Sequence, residues 1–121
     1  MAPGDTPALA IEHSEFEDPA KGIVNETWRV NGWVLRLMTS ANNAGQWCFQ
    51  IYVPNHDVGP WMGRETECEV DHPEAVALIA RLCDELAIVP KERSLGDFRF
   101  ASRDEWQRVV EALRAALTAP A

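Results

Sequence analysis

The dipeptide Asn31-Gly32 stands between two runs, "IVNETWRV" and "WVLRLMTS", that are rich in β-branched, aromatic and aliphatic residues. Asn-Gly is the pair that best tolerates the positive φ angles of a type I′ turn, and that turn suits the twist of two antiparallel strands. A tight hairpin is therefore expected here. A two-residue loop sets Val30 opposite Trp33 and Trp28 opposite Leu35, all on one face. That face is apolar and has to be covered by something.

The pattern continues on both sides of the hairpin. After the turn-forming "SANNAG", the run "QWCFQIYVP" places Trp47, Phe49, Ile51 and Val53 on one face and Cys48, Gln50 and Tyr52 on the other, which extends the hairpin into a three-stranded meander. Upstream, "ALAIEHSEFED" alternates weakly and reads as an edge strand. Downstream, "RETECEVD" reads as a further strand, with Glu65, Glu67, Glu69 and Asp71 pointing one way and Thr66, Cys68 and Val70 the other.

Two helices follow from spacing and caps. In "DHPEAVALIARLCDELA" Asp71 serves as N-cap, Pro73 fits the first turn and Glu74 completes a capping box, while Val76, Ile79, Leu82, Cys83 and Leu86 make one apolar stripe. Pro90 is expected to stop it. Ser102 and Glu105 repeat the box ahead of a second stripe, Trp106, Val109, Val110, Leu113 and Leu117, with a short strand around Phe98 to Phe100 between the helices. One apolar sheet face and two single-stripe helices call for an α+β, two-layer fold, with an antiparallel sheet of 4–5 strands and both helices on one face. At 121 residues, 46% hydrophobic and 25% charged, this is one domain over residues 1–121, with fraying expected at 1–7 and 119–121.

Composition narrows the function. No apolar run approaches the roughly 20 residues that a membrane span needs, and the N-terminus lacks the basic and apolar regions of a signal peptide. Three separated cysteines, Cys48, Cys68 and Cys83, suit a reducing compartment, so a cytoplasmic location is expected. The net charge is −8, concentrated in residues 1–20, which hold five carboxylates and no base, and in residues 65–74, which hold five more. Such a surface repels nucleic acid and anionic lipid and suits a basic protein partner. Nine of the eleven bases are arginine and alanine is abundant, as in a bacterial gene of high GC content.

The chain carries no phosphate-binding glycine loop, CxxC pair, HExxH or Gly-x-Ser-x-Gly motif, and no cofactor is implied. His56, Asp57, Cys68 and His72 are a weak metal-ligand set, because zinc ligands ordinarily come in tighter pairs. The competing reading has Cys68 as a small core residue and His72 in a helix's first turn. His13, flanked by Glu12 and Glu15, reads as a lone surface histidine.

The strongest candidate site is the stretch "GPWMGRETECEVD". Carboxylates on alternate residues of a strand stand roughly 6.6–7 Å apart, a repulsion that folding does not require and a cationic partner relieves. A charged edge that resists aggregation explains the ladder equally well. Trp61 and Met62, between Gly59 and Gly63, would supply an apolar anchor or else fold back over the core. In size, charge and lack of catalytic motifs the chain is similar to small acidic inhibitor or immunity proteins that neutralise basic nuclease toxins, with no motif that carries residues across. The expectation is a binding protein that engages a basic partner through Trp61, Met62, Glu65, Glu67, Glu69 and Asp71. The alternatives are an acid-base or metal enzyme built on His56, Asp57 and His72, or a homodimeric structural protein.

Overall fold

A computed structural model of the chain describes residues 9–30, 33–53, 73–94 and 96–118, with Trp33 described through its backbone only. Among the described residues six strands form one antiparallel sheet: β1 (Ala10–His13), β2 (Val24–Val30), β3 (Trp33–Ala41), β4 (Trp47–Tyr52), β5 (Glu92–Ser94) and β6 (Asp97–Phe100). Their spatial order is β1-β2-β3-β4-β6-β5. Helix α1 (Pro73–Glu85) lies in the connection from β4 to β5, and α2 (Arg103–Thr118) closes the described chain.

The hairpin register is the one that Asn31-Gly32 demands, with Val30 paired to Trp33 and Trp28 to Leu35. β4 continues the meander with Leu37 opposite Ile51 and Thr39 opposite Phe49. Its other edge takes β6, which sets Phe49 against Phe100 and Ile51 against Phe98. Alternation then puts Trp28, Val30, Leu35, Leu37, Phe49, Ile51, Phe98 and Phe100 on one face, where all are buried. Both helices lie on that face, their Ala75, Ile79, Leu82, Cys83, Trp106, Val109, Val110 and Leu113 joining the strand residues in one core. The six strands exceed the expected 4–5. β5 escapes sequence reading because "ERS" is three exposed residues with no alternation to detect.

Both helix stripes fall where the spacing puts them, although Val76, Leu86 and Leu117 are only partly buried. The Glu105 N–H donates to Ser102 Oγ at 3.2 Å, one half of the capping box. Glu105 Oε1 is buried without a hydrogen-bond partner. α1 ends before Pro90 can act. Ala87 adopts φ 57°, the Ile88 N–H donates to Cys83 O at 2.9 Å, and the Ala87 N–H donates to Asp84 O at 3.1 Å. This is the Schellman closure, here with alanine at a left-handed position that costs an L-residue about 1–2 kcal/mol.

Two side chains add ties beyond the strand ladders, one between the layers and one within the sheet. The Trp106 indole N–H donates to the Gln50 carbonyl at 3.0 Å, tying α2 to β4. Thr39, 1% exposed, accepts from the Val24 N–H at 2.9 Å and donates to the Gly22 carbonyl at 2.7 Å. Gly22 itself ends a 3-10 turn, Pro19–Lys21, at φ 76°, a conformation that favours glycine.

Candidate functional site

Trp61, Met62, Glu65, Glu67, Glu69 and Asp71 lie outside the described residues, as do His56, Asp57, Cys68 and His72. The expected acidic strand and the N-cap of α1 therefore carry no geometry. The described residues place a second acidic surface at the free end of the sheet, where β1 pairs with β2 alone.

Pairing of β1 with β2 sets Ile11 opposite Trp28 and His13 opposite Glu26. By alternation these four belong to the helix-facing side, while Glu12 and Arg29 belong to the other. There the Arg29 Nε–H donates to Glu12 Oε2 at 2.9 Å. The chain leaves β1 through a turn in which the Phe16 N–H donates to Ser14 Oγ at 3.0 Å and the Glu17 N–H to Ser14 O at 3.0 Å. It returns through paired Asp18 and Ile23 into β2.

That turn separates its side chains sharply. Phe16 is 72% exposed, with exposed Glu15 beside it. Glu17 turns inward instead. Its two carboxylate oxygens lie 2.6 and 2.9 Å from His13 Nδ1. Glu26 Oε2 is 3.7 Å from the same nitrogen, and Glu26 Oε1 accepts the Trp28 indole N–H at 2.8 Å. The hydrogen bond to Glu17 and then its negative charge raise the His13 pKa above 6.5, with the Glu26 charge adding less.

His13 is thus not the lone surface histidine of the sequence reading. Its flanking Glu12 pairs with Arg29, and its own partners are four residues along the chain and across the strand pair. A signal for Glu26 was present: it is the one carboxylate at an inward position of "VNETWRV", on the same alternation as Val24, Trp28 and Val30. The signal for Phe16 was an aromatic residue set among acids in a turn.

Around β4 and β6 the described surface is aromatic and of mixed charge. Trp47, 39% exposed, stacks on Phe49 with ring centroids 6.0 Å apart. The Arg103 guanidinium sits 4.9 Å from the Trp47 ring and 5.3 Å from the Phe49 ring. Next to them an open groove of 580 Å³ is lined by Trp47, Cys48, Lys91 and Arg99 among others. Asp97 answers the Arg99 charge at 3.3 Å. Burial pushes the Cys83 thiol up to about 11, with the Asp84 charge adding, so it is not poised as a nucleophile.

The architecture is α+β, a single sheet with two helices on one face. Comparison with known protein families, curated proteins and solved structures finds no match, so a functional reading has to rest on these side chains.

Proposed function

We propose that this protein is an acidic, cytoplasmic binding protein that engages a basic protein partner, in the manner of an inhibitor or immunity protein. The observation that carries the reading is Phe16, an aromatic side chain 72% exposed in the turn after β1, next in the chain to the exposed acid Glu15 and two residues before Asp18, where β1 pairs with β2 alone among the described strands. An exposed aromatic ring in an acidic stretch suits an interface anchor with a polar rim. The carboxylates Glu65, Glu67, Glu69 and Asp71, with Trp61 and Met62, extend the same chemistry in sequence. Among the described residues no helix is long and apolar enough to cross a membrane.

Binding would proceed by electrostatic steering followed by burial of the anchor. Surface carboxylates raise the association rate toward a cationic partner, and the desolvated ring slows release. The test is a capture from the native host with three baits: wild type, Phe16→Ala, and a variant with Glu65, Glu67 and Glu69 all changed to Gln. A basic protein held by wild type and lost from either variant supports the reading and says which acidic surface contacts it. Identical captures on all three baits overturn it. Once the partner is purified, Phe16→Ala should act mainly on the dissociation rate, and the Gln variant on association at low salt.

A further inference from the structure

A contact surface for a partner leaves the inward cluster beneath it unexplained. The Glu17 and Glu26 side chains keep only 12% and 14% of their exposure, and they face the same imidazole nitrogen. Two carboxylates held this close and largely shielded from water carry two negative charges, which one protonated histidine and the Trp28 N–H answer only in part. Paired burial of like charges is costly unless a cation of matching charge joins them.

We propose that His13, Glu17 and Glu26 form a binding site for a divalent cation of the zinc class. The ligands would be His13 Nδ1 and one oxygen from each carboxylate, atoms that all lie within 4.8 Å of one another. Metal bonds of roughly 2.0–2.2 Å separate neighbouring ligand atoms by roughly 3.3–3.6 Å. The 2.6 Å and 3.7 Å separations from His13 Nδ1 bracket that spacing, so small side-chain rotations would suffice. A donor set of one imidazole and two carboxylates suits Zn²⁺ and Mn²⁺, with solvent completing the shell.

The support behind one ligand is compatible with such a site. Metal-binding carboxylates and imidazoles are held in place by hydrogen bonds from behind. Glu26 has such a support, because its other oxygen accepts the indole N–H of Trp28, a residue with no exposed surface. Trp28 is fixed in turn beneath the Arg114 guanidinium, 5.4 Å from its ring. Strand register places His13 directly across from Glu26, and the turn after β1 brings Glu17 back to both. The ligands thus stand on paired strands and a hydrogen-bonded turn, and a bound ion would clamp β1 to β2. The site goes beyond the partner-binding reading, since it uses the inward carboxylates and leaves Phe16 and Glu15 free.

The experiment is a Zn²⁺ titration of the EDTA-stripped full chain, read by calorimetry and by the NMR resonances of the His13 ring. Mn²⁺ serves as a second probe that broadens nearby resonances and disfavours thiols. The expected result is uptake of Zn²⁺ that shifts the His13 resonances, selective broadening of them by Mn²⁺, and at least tenfold weaker uptake in Glu26→Gln. That variant keeps an oxygen for the Trp28 N–H, so it removes charge without removing the support. The exposed substitution His13→Gln provides a second variant with little risk to folding, and it should weaken uptake equally. If Zn²⁺ leaves the His13 resonances unmoved, or binds both variants as it binds wild type, the proposal is overturned.

Discussion

At the β1 end of the sheet the helix-facing side carries His13 and Glu26 beside Trp28, whereas at the β5 end it carries Phe98 and Phe100. The Arg93 guanidinium lies 4.8 Å from the Phe98 ring. At the β1 end a buried aromatic residue offers its N–H edge to a carboxylate as well as its face to Arg114, and at the other a buried aromatic residue offers its face alone to a cation. Both contacts follow from the same charge distribution in an aromatic ring, positive at the edge and negative on the face. The helices explain which end received which treatment. α2 packs on β4 through Trp106 and reaches β2 through Arg114, whereas the four residues of β1 remain exposed or half-buried. Where helix cover thins, the inward positions become polar.

The contrast predicts unequal costs of truncation. Phe98 is fully buried, so Phe98→Ala should lower the unfolding free energy by about 3–5 kcal/mol in a urea titration. Ile11 is partly buried at the other end, and Ile11→Ala should cost about 1 kcal/mol, because only part of its side chain leaves water on folding. Equal costs would show that the acidic end is as tightly packed as the rest, and the division drawn above would fail.

Thr39 sharpens the comparison, because it fastens the acidic end to the dry core by hydrogen bonds rather than by packing. Thr39→Val preserves shape and removes both the acceptor for the Val24 N–H and the donor to the Gly22 carbonyl. Leaving these groups unpaired should cost about 1–3 kcal/mol. Amide exchange at Val24 should quicken more than exchange at Ile51. Unchanged exchange at Val24 would mean that strand pairing alone holds the start of β2.

The dry part of the molecule was the legible part. A turn-forming Asn-Gly fixes a register, and a register fixes which of Trp28, Leu35, Leu37, Phe49 and Ile51 point inward. Helical spacing likewise identified Ile79, Leu82, Trp106, Val109 and Leu113. β5 was missed because three exposed residues have no pattern, and the Ala87 cap because alanine does not announce a left-handed φ. At the acidic end, local sequence misled. The chain sets His13 beside Glu12 and Glu15, yet its partners come from a turn and from strand pairing, neither of which one-dimensional spacing displays. The clue lay in Glu26, an acid at an inward position of a strand otherwise apolar on that face.

The smallest effect expected is on the titration of His13, and it asks whether the acidic end is organised or only acidic. In the EDTA-treated protein His13 should titrate above 6.5, principally because Glu17 accepts its hydrogen bond and adds negative charge, and secondarily because of Glu26. A histidine whose folded pKa is raised contributes stability that is fully present below its unfolded pKa of about 6.5. That contribution is lost as pH rises through the folded pKa, so this end of the sheet should loosen slightly on the alkaline side. An NMR titration of the His13 ring, assigned with His13→Gln, gives the pKa directly. Glu17→Gln should bring it down toward 6.5, whereas Glu15→Gln, which alters an exposed acid of the same turn, should move it far less. If the two substitutions acted alike, diffuse negative charge rather than the inward geometry would set the His13 pKa, and the acidic end would be acidic without being organised.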